Sequence, residues 1–172
     1  MTLEIRTFAL ELEEREDGRT LTGLAVPYDT EAKIGNYIET FRRGAFADTD
    51  PAQVPLMAVH DRETLPIGRA LRFTEDDAGL QAELRVSKTA AGDDVLELIR
   101  DGAATGLSVG FVPVEDSWNT DRTRVERIRA KLVELSVTAF PAYREAKILA
   151  IRAIADPAAD RTPLLSVARR RL

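Results

Sequence analysis

The chain contains no cysteine and a single histidine among its 172 residues. Without cysteine there can be no disulfides, no thiolate zinc site, no iron–sulfur cluster and no cysteine nucleophile. The lone histidine, His60, excludes any metal site built from several imidazoles, and no cofactor is expected. No apolar run approaches the roughly 18–20 residues of a membrane-spanning helix. The opening Met1-Thr2-Leu3-Glu4 lacks the pattern of a secretory signal. An excess of basic charge is also missing: 24 Lys and Arg stand against 29 Asp and Glu, a formal net charge of −5. That balance argues against direct nucleic-acid binding and against anionic membranes as partners. There is no internal repeat and no low-complexity segment, and the expected setting is a cytoplasm.

What remains is an ordinary globular composition, 44% hydrophobic and 31% charged. The length favours one compact core. Leu3 to Leu12 and Thr20 to Val26 read as two strands of a hairpin around the charged turn Glu13 to Gly18. Asp29 to Asn36 reads as a loop, with a short strand after it at Tyr37 to Phe41. Val54 to Val59 is nearly all apolar, the pattern of a strand covered on both faces. Gly79 to Val86 alternates cleanly, with Leu80, Ala82, Leu84 and Val86 on one side. Ser87 to Gly102 predicts a helix capped by Ser87 or Thr89, with Ala91, Val95, Leu98 and Ile99 on one face and Gly102 as its stop. Strand patterns return at Leu107 to Val114 and Thr123 to Phe140, where Pro141 ends the run. The fold class is α+β and β-rich. Residues 1–155 are expected to form the domain and 156–172, with two prolines and a closing Arg169-Arg170-Arg171, a flexible tail.

Gly106-Leu107-Ser108-Val109-Gly110 matches the pattern G-x-S-x-G. An α/β-hydrolase elbow requires a helix after the serine and a later histidine. Here Pro113 blocks the helix and His60 comes first, so that match is accidental. On a strand, Leu107, Val109 and Phe111 would anchor one face and leave Ser108 on the other, flanked by two glycines. Such pentapeptides also recur by chance, as a small hydroxyl in a tightly packed strand. A serine nucleophile needs a base titrating near neutrality, and His60, at the end of its buried strand, is the one the chain offers. For the second ring nitrogen there are two carboxylate candidates. Asp61 adjoins the histidine but points away from it in an extended segment. Glu134 interrupts an apolar stretch, opposite Val133, Leu135 and Val137 and beside Ser136 and Thr138. It fits an exposed strand glutamate as well as an orienting acceptor.

Six segments in order resemble the tailed-phage prohead (capsid maturation) proteases. They are Gly23 to Tyr28, Glu39 to Phe46, Val59-His60-Asp61, Leu65 to Arg69, Gly106 to Phe111 and Glu134 to Ala142. That family consists of serine proteases related to the herpesvirus assembly proteases. The resemblance implies a herpesvirus-protease-like β-barrel core with flanking helices, Ser108 as nucleophile and His60 as general base. The herpesvirus relatives use a second histidine, absent here, and the phage-type pattern puts Glu134 in that role. The implied substrates are the phage major capsid protein precursor, scaffold chains and the protease itself, cleaved inside the assembling prohead in the bacterial cytoplasm. A homo-oligomer is a further expectation. Two rivals stand beside this reading: a non-catalytic β-rich capsid assembly or scaffold component of the same fold, and a hydrolase of small esters, which the motif order disfavours.

Overall fold

The structure is a computed structural model and describes residues 2–8, 13–14 and 17–139. The expected tail at 156–172 lies outside the described residues. Ten strands join one mixed sheet that curls into a half-barrel, with β1 (Glu4–Phe8), β2 (Glu13–Glu14), β3 (Thr20–Pro27), β4 (Ala32–Ile34) and β5 (Tyr37–Phe41) in the first quarter of the chain. After a 3-10 turn at Pro51–Gln53 come β6 (Pro55–Ala58), β7 (Gly68–Glu75), β8 (Gly79–Val86), helix α1 (Ala90–Arg100), β9 (Gly106–Trp118) and β10 (Arg124–Thr138). The main path runs β1-β9-β10-β6-β7-β8-β3-β2, and β5 joins beside β10 with β4 on its outer side.

β10, with 15 residues, organises the sheet. Along one side it pairs antiparallel with β9. Along the other it pairs parallel first with β5, at Arg124–Arg127, and then with β6, at Leu135–Val137. Its two ends therefore gather segments distant in sequence. Buried Leu and Val side chains from β3, β8, β9 and β10 form the core, with Phe41, Phe46 and Phe111 in mutual ring contact at 5.1–6.1 Å. The strand at 79–86 keeps its predicted alternation, with Leu80, Ala82, Leu84 and Val86 all buried.

Three sequence expectations are corrected. The N-terminal strand does not form a hairpin with Thr20–Pro27. Its described part, Glu4–Phe8, pairs antiparallel with β9, Thr7 standing opposite Ser108, while Glu13–Glu14 pairs with β3. The reason is electrostatic: Arg6 is 3% exposed and finds its cross-strand acidic partner, Glu39, on β5, which joins the sheet beside β10. The expected loop at 29–36 contains β4, which pairs with β5 across a turn where Gly35 takes φ 57°. In α1 the inward face is Gly92, Val95, Leu96 and Ile99, not one containing Ala91 and Leu98. A Cβ on Gly92 would stand 2.3 Å from the Ser87 carbonyl oxygen, so glycine permits the close approach that sets this rotation. Thr89 is the N-cap, accepting from the Gly92 amide.

Candidate active site

The three residues singled out by sequence converge at the adjoining strands β9, β10 and β6. Ser108 lies near the start of β9, Glu134 and Ser136 near the end of β10, and His60 two residues beyond β6. His60 Nε2 is 2.6 Å from Ser108 Oγ, and His60 Nδ1 is 2.6 Å from Glu134 Oε1. One imidazole thus bridges an alcohol and a carboxylate. Glu134 is 2% exposed, which removes the exposed-glutamate reading left open above. Asp61, the other carboxylate candidate, accepts from the Glu63 amide at 3.0 Å instead.

A strand alone would carry His60 away from β10. Val59 and His60 instead adopt φ 47° and 60°, two successive left-handed residues that turn the chain out of the strand. For non-glycine residues such conformations cost about 1–3 kcal/mol each, and a β-branched valine tolerates them poorly. Three hydrogen bonds offset that strain. The Val59 amide donates to the Val137 carbonyl at 3.0 Å, His60 N–H to Ser136 Oγ at 3.1 Å, and the Asp61 amide to the Ala58 carbonyl at 3.0 Å. Ser136 is fully buried and serves this turn.

Glu134 reaches the ring because of an irregularity in β10. The β9–β10 register shifts between Leu132 and Glu134. Before it, Ala130 and Leu132 face the core; after it, Leu135 and Val137 do. The extra residue, Val133, exchanges the faces and frees Glu134 and Ser136 to point toward His60. Opposite Glu134 is Gly110, where a Cβ would come within 2.6 Å of Glu134 Cγ. The second glycine of the G-x-S-x-G pattern therefore makes room for the carboxylate. Glu134 Oε2 also faces Arg62 Nε at 3.6 Å.

Sequence reasoning missed the N-terminal contribution. Thr7 Oγ1 is 2.8 Å from Ser108 Oγ, and the Arg6 carbonyl oxygen is 2.9 Å from the same atom. β1 is held there by a buried ionic network. Arg6 and Arg127 share Glu39, with Arg6 Nη2 2.9 Å and Arg127 Nε 2.6 Å from Glu39 Oε1. Arg127 also donates to Asp116 at 2.6 Å and to Glu4 at 2.8 Å. Burial opposes the charge on Arg6, but the hydrogen bond and charge of Glu39 outweigh it, and the guanidinium pKa is raised. Both guanidinium carbons lie over Phe111, at 5.2 and 5.8 Å from its ring centre. An Arg two residues before a strand's end gives no signal of burial until its partner Glu39, 33 positions onward, is known.

Among the described residues no group of three acidic or histidine side chains could hold a metal ion. No helix there is long and apolar enough to cross a membrane.

A β-rich sheet presenting hydroxyl, imidazole and carboxylate in this sequence of contacts has the constellation of serine acyl-transfer enzymes. The chain belongs to the Caudovirus prohead serine protease family, whose model matches residues 7–159. Among solved structures, that of the bacteriophage T4 capsid assembly protease, gp21, superposes with a TM-score of 0.58 at 11% identity. The match covers 81% of this chain and 98% of that one, so the two share a fold. No curated protein sequence matches.

Proposed function

We propose that Ser108 is the nucleophile, His60 the general base and Glu134 the group that orients and charge-balances the imidazole, in an endopeptidase acting on capsid precursors during prohead maturation. The observation that carries this is the pair of 2.6 Å contacts through one histidine ring. Ser108 Oγ attacks a peptide carbonyl carbon while its proton passes to His60 Nε2. The tetrahedral intermediate collapses, and the imidazolium protonates the departing amine. Water, deprotonated by the same ring, then releases the acyl group and restores the serine. Glu134 accepts the Nδ1 proton's hydrogen bond throughout, which leaves Nε2 free to act as base. Major capsid protein precursor, scaffold and the protease's own chain are the substrates that the family supports, inside the assembling shell within the bacterial cytoplasm.

The test is a fluorophosphonate probe followed by peptide mapping. The wild-type protein is expected to be modified at Ser108, and Ser108→Ala and His60→Ala to be unlabelled while folding normally. A folded wild type that stays unlabelled would favour a non-catalytic capsid component.

A further inference from the structure

We infer that Thr7, on the N-terminal strand, is a further catalytic residue: its hydroxyl donates a hydrogen bond to Ser108 Oγ during acyl transfer. The inference rests on the proposed function and adds a partner to the nucleophile. Ser108 Oγ has three close polar neighbours, His60 Nε2 at 2.6 Å, Thr7 Oγ1 at 2.8 Å and the Arg6 carbonyl oxygen at 2.9 Å. The serine has one proton to give. A backbone carbonyl can only accept, and Nε2 must accept in the attack-ready state because Nδ1 carries the proton shared with Glu134. With the Ser108 proton on the path to Nε2, the Thr7 contact is a hydrogen bond only if Thr7 is the donor. Ser108 Oγ is the one hydrogen-bond partner that Thr7 Oγ1 has among the described residues.

The Arg6 carbonyl works in the opposite sense. It competes with His60 for the same proton, and a serine hydroxyl turned toward it is unreactive. A donor on the other side of Oγ shifts this competition toward the productive arrangement. It also stabilises the negative charge that grows on Oγ twice: as the Ser108 proton leaves in acylation, and as the Oγ–acyl bond breaks in deacylation before His60 returns the proton. The strand geometry supports the placement. Thr7 stands directly across from Ser108 in the β1–β9 ladder, so the two side chains share a face. Arg6, on the alternate face, is pinned by Glu39 and fixes the strand's position.

The experiment compares wild type, Thr7→Val, which keeps the shape and removes the hydroxyl, and Thr7→Ser, which restores it. In the probe reaction the Oγ–phosphorus bond forms, the phosphorus–fluorine bond breaks and the Ser108 proton passes to His60. The second-order labelling rate and the burst and steady phases with p-nitrophenyl acetate are measured, with thermal unfolding in parallel. Thr7→Val is expected to label roughly 10–100-fold more slowly, the range for losing a hydrogen bond to a charged group, with Thr7→Ser within about 3-fold of wild type. Equal rates for wild type and Thr7→Val, or equal losses in Thr7→Val and Thr7→Ser, would overturn the role of Thr7 and leave the protease reading standing. A folded wild type unreactive at Ser108 would overturn both.

Discussion

At the scale of single residues, the site depends on side chains that place other side chains. Ser136 fixes the backbone of His60 through one hydrogen bond to a strained turn. Ser136→Ala is expected to lower the labelling rate of Ser108 about 2–10-fold, the equivalent of one neutral hydrogen bond. Gly110→Ala should do more, because its methyl group would stand 2.6 Å from Glu134 Cγ and push the carboxylate off the ring. A labelling rate close to wild type in Gly110→Ala would show that Glu134 can be displaced without consequence. Glu134→Gln keeps the shape and loses the charge, so its rate is expected to fall less than that of His60→Ala, which removes the proposed base itself. Kinetics on the four variants in one buffer separates these effects.

At the scale of elements, β1 is fastened to the sheet by ions as well as by its ladder. Glu39 is fully buried between Arg6 and Arg127. Glu39→Ala leaves two guanidinium groups without their central partner and is expected to destabilise the fold by about 3–5 kcal/mol, measured by urea denaturation. The turn before β3 has a second electrostatic fastening. Asp17 accepts from the Arg19 and Thr20 amides and the Thr20 hydroxyl, and its pKa is lowered from 3.8 to about 2. A pKa depressed by folding stabilises above the unfolded value, and the contribution fades as pH falls from about 4 toward 2. Midpoint measurements across that window should show a shallower acid decline in Asp17→Asn than in wild type.

Across the whole molecule, the elements with local causes were legible. The alternation at 79–86, the apolar run before His60 and the Thr89-capped helix follow from side-chain period and capping chemistry. His60 and Ser108 were legible as chemistry because the composition leaves so few candidates. The pattern around Glu134 fits an exposed strand glutamate as well as an orienting acceptor, and only the resemblance favours the second, since the register shift at Val133 that turns it inward has no sequence signature. The N-terminal strand was misread for a related reason. Its partner β9 lies about a hundred positions away, and a nearby strand was the simpler prediction. Long-range pairing thus hid Thr7, whose position across from Ser108 depends on that partner.

The parallel pairing of β6 with β10 has a temporal consequence. The histidine turn leaves the ribosome early, but the strand that bends and holds it ends at Thr138. Translation of the intervening stretch takes on the order of several seconds, during which His60 has neither its carboxylate nor its serine anchor. A nascent copy therefore lacks the assembled histidine turn until β10 has been made, and the proposed activity waits on that strand.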